Sequence, residues 1–133
     1  MPSPPPFAVE HVAFNVEDAA AIADWYSQHL GMTIIRQSDS NKMRFLADST
    51  GRVVFELYSN PAAPIPNYAE QPPQVLYMAY AVECVKSARD TLLEAGATIV
   101  EDYNQADNGD EFVMLRDPWS LPIQLVKRAD PML

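Results

Sequence analysis

The sequence predicts an α+β fold: two βαβββ modules in tandem, forming a curled, half-barrel mixed sheet around a cavity. Three observations carry this reading. EHVAFNV at residues 10–16 is echoed 66 residues later by LYMAYAV at residues 76–82, each an alternating strand that runs into a helix. LGMTII at residues 30–35 returns as AGATIV at residues 95–100, a shift of 65. After each helix come three short alternating runs, so the order strand, helix, three strands is written twice, over residues 7–58 and 75–128.

The first strand is FAVEHVAFNV, with Phe7, Val9, His11, Ala13 and Asn15 on one face and Ala8, Val12, Phe14 and Val16 on the other. Asp18 is an N-cap for the helix AAAIADWYSQHL, whose Ile22, Trp25 and Tyr26 recur at helical spacing, and Gly31 supplies its left-handed stop. MTIIRQ, KMRFLAD and RVVFELY follow as strands, with DSTG at residues 48–51 as a turn between the last two. The stretch 59–74 carries five prolines, which oppose both helix and central strand and mark an extended connector. The second module then reads VLYMAYAV, the helix VKSARDTLLEA with Val85, Ala88, Leu92 and Ala95 on one stripe, Gly96 as stop, and the strands ATIVEDY, EFVMLRD and LPIQLVK. Residues 7–128 thus form one structural domain of two modules joined by the connector.

Composition narrows the function classes. A length of 133 residues, 48% apolar and 20% charged, suits one globular domain. The net charge of −9, with only nine Lys and Arg, excludes a nucleic-acid or anionic-membrane surface and favours a small neutral or cationic partner. Cys84 is the single cysteine, so neither an intrachain disulfide nor a thiolate metal cage can be built, which fits a reducing cytoplasm. No apolar run reaches the roughly 20 residues of a membrane span, and PSPPP at residues 2–6 has no signal-peptide character.

A helix covers only one face of a four-stranded sheet, so the other face needs cover. Two such sheets curled together would enclose a pocket lined by inward ionisable groups. Glu56 shares a strand face with Val54 and Tyr58, and an inward carboxylate among apolar groups suits either a metal ligand or a general base. Taken alone, His11 is also compatible with a structural strand histidine. His29, at a helix end, needs no function. Asp117 and Pro118 carry turn chemistry, with Trp119 packing beside them. The polar loop NQADNGDE at residues 104–111 reads either as a lid or as a solvated hairpin end. Met43, Met78 and Met114 read as core or pocket wall.

The ordered set HVAFNVED, WYSQHLGM, YMAYAVE, EAGA and LRDPWSLPIQLV resembles the vicinal oxygen chelate superfamily, which includes glyoxalase I, bleomycin- and fosfomycin-resistance proteins, methylmalonyl-CoA epimerase and extradiol dioxygenases. The resemblance covers residues 7–128. It implies that the first strand and the last strand of each module contribute metal ligands. Carried onto this chain, these positions are His11 and Glu56 in the first module and Tyr77 and Gln124 in the second. Family members that bind metal usually have His and Glu at the second pair.

The expected ligand set is therefore His11, Glu56 and Gln124 around a divalent zinc, manganese, nickel or iron ion, with Tyr77 and Gln124 contacting substrate and Glu56 acting as catalytic proton shuttle. With one histidine among the four positions, the two-histidine, one-carboxylate triad of ring-cleaving dioxygenases cannot be assembled from them. The resemblance implies a homodimer that binds a small molecule, as a lyase or isomerase acting on adjacent oxygens, and the lone cysteine with the absence of a signal peptide or membrane span predicts a cytoplasmic protein. The alternative is a metal-free protein that sequesters a cationic drug or metabolite.

Overall fold

The computed structural model describes residue 3, residues 5–39 and residues 42–132, leaving aside the side chains at 53 and 54. It divides into two compact units, Met1–Pro66 and Asn67–Leu133. The first holds β1 (Val12–Asn15), α1 (Ala19–Leu30), β2 (Thr33–Ser38), β3 (Met43–Ala47) and β4 (Val53–Tyr58). The second holds β5 (Met78–Ala81), α2 (Val85–Glu94), β6 (Thr98–Gln105), β7 (Glu111–Arg116) and β8 (Pro122–Lys127). Each unit is a βαβββ module with one mixed sheet that does not close into a barrel, ordered β1-β4-β3-β2 in one and β5-β8-β7-β6 in the other. In each, the first and last strands run parallel and the remaining pairs antiparallel.

Helix ends follow the local chemistry. The Asp18 side chain accepts from Ala21 N at 3.0 Å, satisfying one of the free N–H groups of the first turn. Gly31 ends α1 at φ 67°, a left-handed conformation that costs glycine nothing. α2 ends at Ala95, and Gly96 turns away at φ 104°.

In the first unit α1 buries Ala19, Ile22, Ala23, Trp25 and Tyr26. Against them stand Phe14, Leu46, Phe55 and Leu57 from three adjacent strands. Phe55 is the hinge of this layer, meeting Phe14 at 5.7 Å and Tyr26 at 5.6 Å between ring centroids, both edge to face. The second unit repeats the layer with Val85 and Leu92 of α2 over Val113, Leu115, Ile123 and Leu125.

β1 is shorter than its pattern. Phe7 and Val9 are 88% and 86% exposed and lie outside any strand. β4, the neighbour of β1, begins at Val53, and Val12 already pairs with Phe55, so residues before Glu10 run past the end of their partner. β5 starts late in the same way, and Tyr77 stands just ahead of it as His11 stands ahead of β1.

The connector splits between the units. Its start is tied to β1: Asn15 Nδ2 donates to the carbonyls of Asn60 (3.1 Å) and Ala63 (3.3 Å), and Asn15 Oδ1 accepts from Asn60 N (2.9 Å). Its end is tied to β7, where the Arg116 guanidinium donates to the carbonyls of Tyr68 (2.8 Å), Gln71 (2.8 Å) and Ser120 (3.0 Å). A single 3-10 turn, Tyr68–Glu70, fits in the proline-free gap between Pro66 and Pro72 and interrupts the extended connector that the prolines predict.

The repeat extends to an irregularity invisible in the sequence. The β2–β3 ladder skips a residue between Ile34 and Arg36, and the β6–β7 ladder skips one between Ile99 and Glu101, the same 65-residue shift that relates the glycine stops. On the far side of the hairpin the shift grows to 69, since Phe45 faces Glu56 where Met114 faces Gln124. Of the four extra residues one lies in the β6–β7 turn and three in the longer β6–β7 ladder, which has a second bulge between Glu101 and Asn104; the turn itself is anchored. Asp110 accepts from Ala129 N (2.8 Å) and from Arg128 Nη1 (2.9 Å). This favours a fixed hairpin end over a lid at residues 104–111.

Candidate functional site

Strand register decides which side chains share the face that α1 leaves uncovered. Val12, Phe14, Phe55, Leu57 and Leu46 belong to the helix side, so Ala13, Glu56 and Phe45, which pair across β1, β4 and β3, point to the other. His11 precedes β1 in the same phase as Ala13. The structure brings it to Glu56: His11 Nε2 lies 3.7 Å from Glu56 Oε1, with the side chains 32% and 19% exposed. Phe45 meets the imidazole edge to face, with 5.0 Å between ring centroids. The side chain of Val54, expected on the Glu56 face, lies outside those described.

The second ring nitrogen of His11 is also engaged, Nδ1 lying 2.9 Å from Glu10 Oε1. A neutral imidazole that donates Nδ1–H to Glu10 presents its Nε2 lone pair to the Glu56 carboxylate. Two lone-pair donors then face one another, an arrangement relieved by a proton on Nε2 or by a cation between them. A carboxylate on the far nitrogen is also the usual way a metal-binding histidine is oriented. Neither Glu10 nor Phe45 stands out from the residue pattern. Only the observation that Glu10 adjoins the histidine could have suggested the first, and nothing local suggested the second.

The donor chemistry suits a divalent ion at two positions. Nitrogen and oxygen ligands each about 2.1 Å from one ion sit roughly 3.4 Å apart in tetrahedral geometry, close to the observed 3.7 Å. Among the described residues no group of three or more His, Cys, Asp and Glu side chains could hold a metal ion, since Glu10 approaches the opposite side of the ring from Glu56. The first unit thus offers an oriented pair of donors.

In the second unit Gln124 pairs with Ala79 on one side and Met114 on the other, on the sheet face away from α2. Tyr77 precedes β5 in the same phase, and its side chain is exposed. These are neutral groups able to donate and accept hydrogen bonds. His29, Asp117 and the strand methionines have structural surroundings. His29 packs against Trp25 at 5.3 Å. Asp117 accepts from the backbone of Trp119 and Leu121 at 2.8 and 2.9 Å, making the turn that Pro118 continues. Met114 is buried, and Met43 and Met78 are half-buried.

The shifted ionisable groups lie elsewhere. Backbone donation from Ala129 and the Arg128 guanidinium hold the Asp110 carboxyl below its ordinary range. Backbone donation from Tyr103, followed by the Arg89 guanidinium, does the same for Asp102. Tyr103, which donates to Glu111 at 2.6 Å, is raised chiefly by that bond. Among the described residues no helix is long and apolar enough to cross a membrane.

The family model described as Glyoxalase/Bleomycin resistance protein/Dioxygenase superfamily matches residues 8–125. A glyoxalase-related enzyme from Fulvimarina pelagi superposes with a TM-score of 0.69 at 14% identity, covering 91% of this chain and 88% of that one. A glyoxalase/bleomycin resistance protein/dioxygenase family enzyme from Burkholderia phytofirmans PsJN gives 0.69 at 16% identity, covering 89% and 96%. A glyoxalase family protein from Enterococcus faecalis gives 0.65 at 22% identity, covering 90% and 97%. At these identities the structural likeness establishes the fold alone. No curated protein matches the chain.

Proposed function

Because this chain belongs to the Glyoxalase/Bleomycin resistance protein/Dioxygenase superfamily, we propose that it binds a small molecule on the open sheet face of its first unit and moves a proton on that molecule, with Glu56 as the base. The observation that carries this reading is the facing of His11 Nε2 and Glu56 Oε1 at 3.7 Å on a face no helix covers. A zinc, manganese, nickel or iron ion held by these two atoms would supply Lewis-acid polarisation of substrate oxygens on adjacent carbons. The chain's own groups do the rest. Glu10 orients the imidazole, Phe45 packs its edge, and the second oxygen of Glu56 takes up and returns a proton, as a lyase or isomerase step requires. Tyr77 and Gln124 are hydrogen-bonding contacts for a ligand on the open face of the second unit.

Deuterium exchange tests this. Mandelate and benzoin, each with oxygens on adjacent carbons, are incubated in D2O with protein supplied with Mn2+, and exchange at the carbon bearing the hydroxyl is followed by NMR. Exchange by the native chain and none by Glu56→Gln supports the reading; equal exchange by both refutes the role of Glu56.

One observation favours a second reading: Glu10 and Glu56 flank His11 beside an aromatic ring, which would also suit a cationic ligand held without metal or turnover. Tight binding of a cationic drug by chelator-treated protein, with no exchange, would select it.

A further inference from the structure

We propose that Arg36 is the anion-binding end of the same face, so that the ligand carries a carboxylate roughly two strand spacings from the His11 and Glu56 pair. The inference rests on the reading of this face as the ligand site and adds the chemical class of what occupies it.

The bulge in β2 makes the case. In an unbroken strand Arg36 would share a face with Ile34, and Ile34 pairs with the buried Leu46 on the helix side. The skipped residue instead sets Arg36 opposite Phe45. Phe45 pairs with Glu56, and Glu56 with Ala13. One cross-strand row on the open face therefore reads Arg36, Phe45, Glu56, Ala13, with His11 beside its last members. Neighbouring strands are about 4.8 Å apart, which puts β2 roughly 10 Å from β4 at the backbone. The exposed Arg36 side chain is long enough to span part of that gap, leaving about the length of a substituted aromatic ring. Bulges that re-aim a side chain recur beside functional sites.

Arg36 is also the exception among arginines. Arg44 pairs with Asp39, Arg89 with Asp90 and Asp102, and Arg128 with Asp110. Arg52 donates to Thr50, and Arg116 to three carbonyls. Among the described residues the Arg36 side chain alone of the six makes no hydrogen bond or ion pair, in a chain whose acidic groups outnumber its basic ones by 18 to 9. A planar five-donor fork left open on a face with an aromatic floor matches a carboxylate. The corresponding bulge in the second unit places Glu101 opposite Met114, so the equivalent position there has the opposite charge.

The test uses three ligands that share one end: mandelate, 4-carboxymandelate and 4-carbamoylmandelate. Their affinities are measured by calorimetry for the full chain, for Arg36→Gln and for Arg36→Glu, with melting temperature as the folding check. The native chain is expected to prefer 4-carboxymandelate over the amide by about tenfold, the size of one charge-assisted bond. Arg36→Gln should lose the preference, Arg36→Glu should reverse it, and mandelate should bind all three alike. A preference that survives in Arg36→Gln, or equal binding of acid and amide by the native chain, overturns the role of Arg36 while leaving the face as a ligand site. If the native chain binds none of the three, the reading of the face fails, and this inference fails with it.

Discussion

His11 and Glu56, 45 residues apart in the chain, face each other at 3.7 Å because β1 and β4 run parallel in a register that sets Ala13 beside Glu56. Two groups that act on one ligand as a unit give strongly non-additive losses when removed. Proton exchange should fall by about 10²-fold or more in Glu56→Gln, the scale of general-base catalysis, and the double variant with His11→Ala should lose little beyond the worse single one. Exchange rates of the four proteins check this; multiplicative losses would show that the two side chains act independently.

Phe55 joins β4 to both β1 and α1 through its two edge-to-face contacts. Phe55→Ala should destabilise the chain by about 3–5 kcal/mol, the range for a buried phenylalanine, measured by urea unfolding. A loss under about 1 kcal/mol would mean that the helix layer is held elsewhere.

Asn15 ties the connector to the end of β1 with three hydrogen bonds. Asn15→Ala leaves the Asn60 N–H and two carbonyls to find other partners. It should cost about 1–3 kcal/mol and open residues 59–66 to limited proteolysis. An unchanged cleavage pattern would contradict the tether.

Asp110 holds the C-terminal segment through Ala129 and Arg128. Its carboxyl titrates lower in the folded chain than in the unfolded one. The stability it contributes is therefore complete above the ordinary carboxylate value of about 4 and is lost as pH falls through the lower folded value. Asp110→Asn should be less stable than the native chain at pH 7, and the gap should shrink as pH drops below about 4. A gap that is constant with pH would show that the carboxylate charge is not what the contact uses.

Much of the fold was legible because helix and strand periods, Asp18, Gly31 and Gly96 all act locally. α1 spans the residues its pattern marks, and α2 differs only at its last residue. The ends of β1 and β5 were not legible, since they depend on where a partner strand begins. The bulges were hidden too: alternation places Ile34 and Arg36 on one face, and only the β3 register separates them. In the site, His11 and Glu56 stood out as residue types at matched positions in the repeat. Glu10 and Phe45 did not, because a carboxylate on an exposed segment ahead of β1 and a strand phenylalanine acquire meaning only from the imidazole they touch.

Metal uptake tests the central claim most directly. Chelator-stripped, tag-free protein is titrated calorimetrically with Mn2+, Zn2+ and Ni2+, alongside His11→Ala and Glu56→Gln variants of unchanged melting temperature. The claim predicts one equivalent of ion bound by the native chain and at least a tenfold loss of affinity in each variant, the lower end of the effect expected for disturbing a metal's ligand environment. Uptake that both variants retain, or none at any loading, would contradict it.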